Sequence, residues 1–181
     1  FIVHPTTALW FGIWIGTAAL VADRENRARL AAGAALACAL AAWVILRGPL
    51  RAQAVVMDQE WLGVVGVKDY LFPDAWSASS WAMAGAYVLA VAMPFLWRRR
   101  QGRCSPQESA IVAGLGILLA VFAASVPFTA SRIAVAVQFQ VSRIFWMLDL
   151  MGTLYVVGLV VDGVRGHGSR PLRVSRAIAV V

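Results

Sequence analysis

The chain has 181 residues, 61% of them hydrophobic and only 14% charged, with a mean hydropathy of +0.74. A soluble domain of this length has too little polar surface to cover such a core, so the composition excludes an ordinary water-soluble globule and makes lipid part of the solvent. A net charge of +7 would suit nucleic acid, but the arginines gather between apolar runs rather than on one polar face, and no nucleic-acid partner is expected.

A helix needs about 20 apolar residues to cross roughly 30 Å of hydrocarbon. Apolar runs of that size recur here without the alternation of a membrane β-barrel. The expected fold is all-α, a single transmembrane bundle over residues 1–181 with about five spans and the start of a sixth. The first span is expected at 6–22 and stops at the charged turn Asp23-Arg24-Glu25-Asn26-Arg27; the second, at 30–46, forms an antiparallel hairpin with it. A loop at 47–76 precedes the third span, 77–97, which ends at Arg98-Arg99-Arg100. The fourth and fifth are expected at 108–128 and 144–161, the fifth with an earlier start near Val137 as an alternative. The closing apolar run Ala179-Val180-Val181 reads as the beginning of a further span, and the chain as a fragment of a longer protein.

Eleven of the sixteen Lys and Arg fall in the segments 23–29, 98–106 and 163–176, which the positive-inside rule places in the cytoplasm. Residue 1, the 47–76 loop and the segment near Thr129 to Arg143 are then extracytoplasmic. Trp61, Tyr70, Phe72, Trp76 and Trp81 lie around that loop, as rings with polar edges do at the headgroup level. Small residues recur at four-residue spacing, Gly12 and Gly16, Ala31, Ala35 and Ala39, Ala120 and Ala124, and are candidates for close helix approach. Cys38 and Cys104 have neither disulfide nor metal spacing.

Four stretches carry groups with chemistry. His4-Pro5 stands at the entry to the first span; Pro5 suits a first helical turn, and His4 is either a site residue or a hydrated helix end. Asp58-Gln59-Glu60 is an acidic pair whose oxygens suit a general base or a divalent cation such as Mg²⁺ or Mn²⁺ facing a substrate phosphate; the plainer alternative is a solvated acidic loop. Asp74 and Ser77 are alternative caps for the third span. Gln138 to Asp149 sets polar groups at the lip of and inside an apolar helix. Wound as one helix, it puts Gln138, Ser142, Phe145, Asp149 and Gly152 on a stripe about 80° wide. Asp149 inside a span is expected to face the bundle interior or a cavity, as a functional group or as interhelical glue. Arg143 is a phosphate contact or an interface snorkeller. No Ser-His-Asp set, HExxH, Walker loop or CxxC is present.

Three motifs, His4-Pro5-Thr6-Thr7-Ala8-Leu9-Trp10-Phe11, Lys68-Asp69-Tyr70-Leu71-Phe72-Pro73 and Gln140-Val141-Ser142-Arg143-Ile144-Phe145-Trp146, resemble those of uncharacterised bacterial multi-pass membrane proteins. The layout of such proteins is similar to that of the C-type glycosyltransferases, which use polyprenyl-phosphate sugars. The resemblance implies an inner-membrane enzyme acting on a polyprenyl-phosphate-linked substrate at the extracytoplasmic face. It implies Asp58 or Glu60 as the catalytic acidic residue; Arg143, Gln138, Gln140, Asp149 and His4, read from their own positions, are the candidate substrate contacts. Here Asp58 and Glu60 lie behind two spans, whereas the catalytic acid of those transferases lies in the first extracytoplasmic loop. A transporter or channel built on the Asp149 stripe, and a scaffold without chemistry, are the other readings.

Overall fold

The computed structural model of the protein describes residues 5–165; His4, His167 and the expected start of a sixth span lie outside them. Among the described residues the chain is all helix and loop. The long elements are α1 (Pro5–Ala22), α2 (Arg27–Leu46), α4 (Ala78–Arg100), α5 (Pro106–Ala130) and α7 (Ile144–Arg165), with two short helices, α3 (Gln59–Val65) and α6 (Ala134–Gln138). Helices α2, α4 and α5 and the segment Ala134–Val161 have span length and composition. The apolar part of α1, Thr6–Ala22, is shorter, at the lower limit for a crossing. This is an all-α bundle of membrane-spanning helices, and the protein is an integral membrane protein.

Two pairs make the bundle: α1 lies along α5, and α4 along α7. Tryptophan and glycine explain the first. Trp10 and Trp14 are nearly fully buried, and each indole N–H donates to a backbone carbonyl of another segment, Trp10 to Phe139 and Trp14 to Ile111, both at 2.9 Å. An indole buried without such an acceptor would forfeit its hydrogen bond to water. Gly114 on α5 sits against Trp14: a Cβ there would stand 2.7 Å from the Trp14 carbonyl oxygen and 2.9 Å from Cδ1. Gly114 therefore sets the α1–α5 distance. In the second pair Gly152 approaches Ala90, and Val91, Phe95, Leu148 and Met151 fill the seam.

The small-residue stripes expected to bring helices together do something else. Gly12, Gly16, Ala31, Ala35, Ala39, Ala120 and Ala124 all face outward, and nothing lies within 4 Å of where a Cβ would be built on Gly12 or Gly16. Spacing alone does not say which face of an apolar helix is inside, because lipid tolerates both. Helix α2 buries no residue and is held mainly as the hairpin partner of α1. Asp23 accepts the Asn26 N–H in that turn and Arg27 donates to the carbonyls of Leu20 and Val21.

The two ends of the bundle differ. One carries the short turns at 23–26 and 101–105, the second closed by Gly102 in the left-handed region at φ +66°. The other carries the long loops 47–77 and 131–143, which are joined to each other. Met57 N–H donates to the Arg132 carbonyl and Ala134 N–H to that of Val55. Beneath this bridge Met57, Leu71, Phe72, Ala134 and Val137 form a small second core, with Trp61, Leu62 and Val65 of α3 against it. Phe72 and Trp61 thus pack inward, while Tyr70 and Trp81 are 40% and 43% exposed. Asp74 pairs with Arg132 through two 2.9 Å hydrogen bonds, and the Arg132 guanidinium lies 4.6 Å from the Phe72 ring centroid. Ser77, not Asp74, caps α4, accepting from Ser80 N–H.

Candidate functional site

The segment before α7 is not one helix. Helix α6 ends at Gln138, Gln140 takes the left-handed conformation at φ +49°, and Val141–Arg143 makes a single 3-10 turn before α7 starts at Ile144. The break separates Gln138 from Asp149, so the continuous polar stripe that a single helix would have given does not form. Gln138 is exposed beside α6, and Asp149 points outward from α7 rather than into the interior or a cavity. The break also turns Arg143 inward. A residue without a glycine's freedom at positive φ costs of order 1 kcal/mol, and such positions concentrate at sites that use them.

Arg143 is held from three directions. Its Nε donates to Gln140 Oε1, its Nη1 donates to Thr7 Oγ1 at 3.0 Å, and its Cζ lies 4.8 Å from the Trp146 ring centroid. Thr7 reaches it because α1 begins beside the 139–143 turn, where Trp10 binds the Phe139 carbonyl. The guanidinium lines a cavity of about 740 Å³ between the first turns of α4 and α7 and the 69–76 loop. Ser79, Ser80, Ser142, Tyr87 and Asp69 give it polar groups, and Met83, Ala84, Phe145 and Trp146 apolar walls. One wall is an aromatic cluster in which Trp76 lies 5.7 Å from Phe122 and 5.8 Å from Phe145, with its N–H donating to the Asp69 carbonyl.

Charge balance distinguishes Arg143 from the other half-buried arginines. Arg98 is paired with Glu108 and Arg132 with Asp74, both at 2.9 Å. Arg143 has a hydroxyl, an amide oxygen and a ring face but no carboxylate among the described residues. A partly desolvated cation with only neutral protein partners has strong electrostatic reason to accept an anion.

Asp58 and Glu60 lie elsewhere, and neither lines this cavity. Asp58 is the N-cap of α3, its Oδ1 accepting the Trp61 N–H at 2.8 Å, and Glu60 is exposed in the first turn. Among the described residues no group of three or more His, Cys, Asp or Glu side chains comes together as a metal cage. Gln140 accepts from Arg143 behind the cavity lining, and His4 lies outside the described residues. The structure therefore brings together Arg143 and Gln140 and disperses Asp58, Glu60, Gln138 and Asp149.

Sequence reading gives no site role to Ser79 and Ser80 at the cavity, to Asp69 and Thr7, which it meets only within motifs, or to the cluster at the opposite end. There Glu108, 8% exposed, receives Arg98 at 2.9 and 3.2 Å and the Tyr155 hydroxyl at 2.9 Å. Its own N–H donates to the hydroxyl of Ser105, the N-cap of α5. Burial and the Glu108 charge push the adjacent Cys104 thiol pKa up. No protein-family model, no curated protein and no solved structure matches this chain.

Proposed function

We propose that this membrane protein binds the anionic headgroup of a lipid-linked substrate in the Arg143 cavity, as a membrane-embedded glycosyltransferase-like enzyme acting on a polyprenyl-phosphate-linked substrate would. The observation that carries the reading is the missing ion pair: of the three half-buried arginines among the described residues, Arg98 and Arg132 each meet a carboxylate at 2.9 Å and Arg143 has none within ion-pair distance. The cavity suits an amphiphile, with hydroxyls and a guanidinium for a phosphate and aromatic and methionine walls for the first apolar atoms behind it. A guanidinium pinned at Nε and Nη1 keeps its other N–H groups for phosphate oxygens, and its planar fork matches two of them. Asp69 is the carboxylate lining the cavity and takes the place of general base in this reading. Asp58 belongs to the α3 cap.

The test is lipid retention in nanodiscs of mixed neutral lipid and polyprenyl phosphate. The wild-type chain retains the phosphate lipid through delipidation. Arg143→Ala loses it at least tenfold, about 1.4 kcal/mol, and Arg143→Lys recovers part of it. Equal retention of neutral and anionic lipid by the wild-type chain overturns the proposal. Where sugar transfer is observed, Asp69→Asn lowers turnover with lipid retention intact, and Asp58→Asn leaves turnover unchanged.

A further inference from the structure

Asp149 is the sixth residue of α7, about 8 Å along the axis from Ile144. It is inside an apolar helix, and it faces out. At 100° per residue Trp146, Asp149, Thr153, Val156, Val157 and Val160 share one face about 100° wide, and all six are exposed. The opposite face, with Ile144, Leu148, Met151 and Tyr155, is the one α7 buries against the bundle. Asp149 accordingly has no ion pair or side-chain hydrogen bond among the described residues. An ionised carboxylate on a lipid-facing surface is costly, and such residues persist where a partner meets them.

The chemistry of the partner follows from the charge. Two copies joined through this face would set Asp149 against Asp149, and like carboxylates at close range repel or are forced to share a proton. Nor do the described residues of a second copy offer a cation at that depth: every Lys and Arg among them lies in a loop or in the first or last turn of its helix. A complement carried by a different chain fits this distribution.

We infer that the outer face of α7 is the docking surface for a membrane helix of another protein, one carrying a lysine or arginine about a turn and a half below the long-loop end, where it pairs with Asp149. Thr153, one turn on, adds a hydroxyl to the same seam, and the valines beyond it supply a smooth surface for helix packing. Trp146 borders both this surface and the Arg143 cavity, but Asp149 does not line the cavity, so the two readings are tested at different residues.

The experiment uses the full chain, fluorescently labelled at its N-terminus and reconstituted in phosphatidylcholine vesicles, with acceptor-labelled synthetic poly-leucine helices long enough to span. One peptide carries a single lysine at the depth of Asp149, a second carries it at the helix centre, and a third has none. Energy transfer is expected to show the first binding at least tenfold more tightly than either control. Asp149→Asn removes that preference while its melting temperature stays at the wild-type value, and Asp149→Lys transfers the preference to a peptide with glutamate at that depth. Equal binding of the lysine and leucine peptides overturns the proposal, as does a preference that survives Asp149→Asn. Transfer between differently labelled copies of the chain that is lost in Asp149→Asn also overturns it, since a second copy would then occupy the face.

Discussion

The two ends of the bundle each hold an arginine in a cage of hydrogen bonds, and they use it in opposite ways. At the short-turn end Arg98 meets a buried carboxylate that also takes a tyrosine hydroxyl, so α4, α5 and α7 are tied by one saturated ionic group. At the long-loop end Arg143 is positioned by Thr7, Gln140 and Trp146, all neutral, beside a cavity of about 740 Å³. The first arrangement spends its charge on structure; the second leaves it for something that is not part of the chain. Geometry alone would rate the two arginines alike, and it is the charge balance that separates a lock from a site.

The largest effect that sharpens this contrast is at Glu108. Glu108→Ala strips Arg98 and Tyr155 of their common acceptor, and breaking a buried pair from one side costs about 3 kcal/mol or more, discounted somewhat because Arg98 is 28% exposed. Unfolding in a mixed-detergent titration is expected to show that loss, with phosphate-lipid retention unchanged in the protein that remains folded. Next in size is Gly114→Ala, which drives a methyl group into the Trp14 backbone and costs roughly 2 kcal/mol by overpacking. Since Thr7 and Trp10 reach the Arg143 turn from α1, this change weakens lipid retention as well, and an unaltered site would separate α1 from it.

Asp74→Asn is smaller. The Arg132 guanidinium holds the Asp74 carboxyl below its ordinary value of 3.8, so the pair adds stability at neutral pH that disappears as pH falls through the lowered value. Both side chains are 30% exposed, which limits the contribution to about 1 kcal/mol or less. Melting curves of wild type and variant are expected to differ at pH 7 and to converge in strong acid. The smallest effect is kinetic. With its thiol pushed up by burial and by Glu108, Cys104 should react slowly with iodoacetamide at pH 7.5 and speed up as pH rises, and parallel kinetics with a free thiol would contradict the Glu108 environment.

Much of the fold was legible because hydrocarbon thickness imposes length. Helices lie within a few residues of the segments drawn at 6–22, 30–46, 77–97, 108–128 and 144–161, and all of these but the first have span length and composition. Which faces meet was not legible. Gly12 and Gly16 satisfy the small-residue spacing and face out, while Gly114, inconspicuous in sequence, carries the closest approach. The helix break at Gln140 has neither proline nor glycine to announce it; tertiary contacts, the Trp10 bond to Phe139 and the Arg143 bonds to Thr7 and Gln140, hold a conformation that local propensity disfavours. Arg143 was recognisable as a polar group at the lip of a span. Its cavity was not, because the groups around it come from positions between 69 and 146 in sequence. Glu108 was hidden for the same reason: its partners lie ten and 47 residues away on other helices.

The central claim is that Arg143 is an uncompensated cation held for an anionic headgroup, and paired melts of Arg143→Met and Arg98→Met, with and without polyprenyl phosphate, test it most directly. Arg98→Met should melt well below wild type in both conditions and keep the stabilisation that the lipid confers. Arg143→Met should melt only slightly below wild type without lipid, because the bonds it loses to Thr7 and Gln140 are largely offset by removal of a partly desolvated charge that lacks a carboxylate, and should gain nothing when lipid is added. A loss of stability in Arg143→Met equal to that in Arg98→Met, or a full lipid response in its absence, would show that Arg143 is one more structural lock.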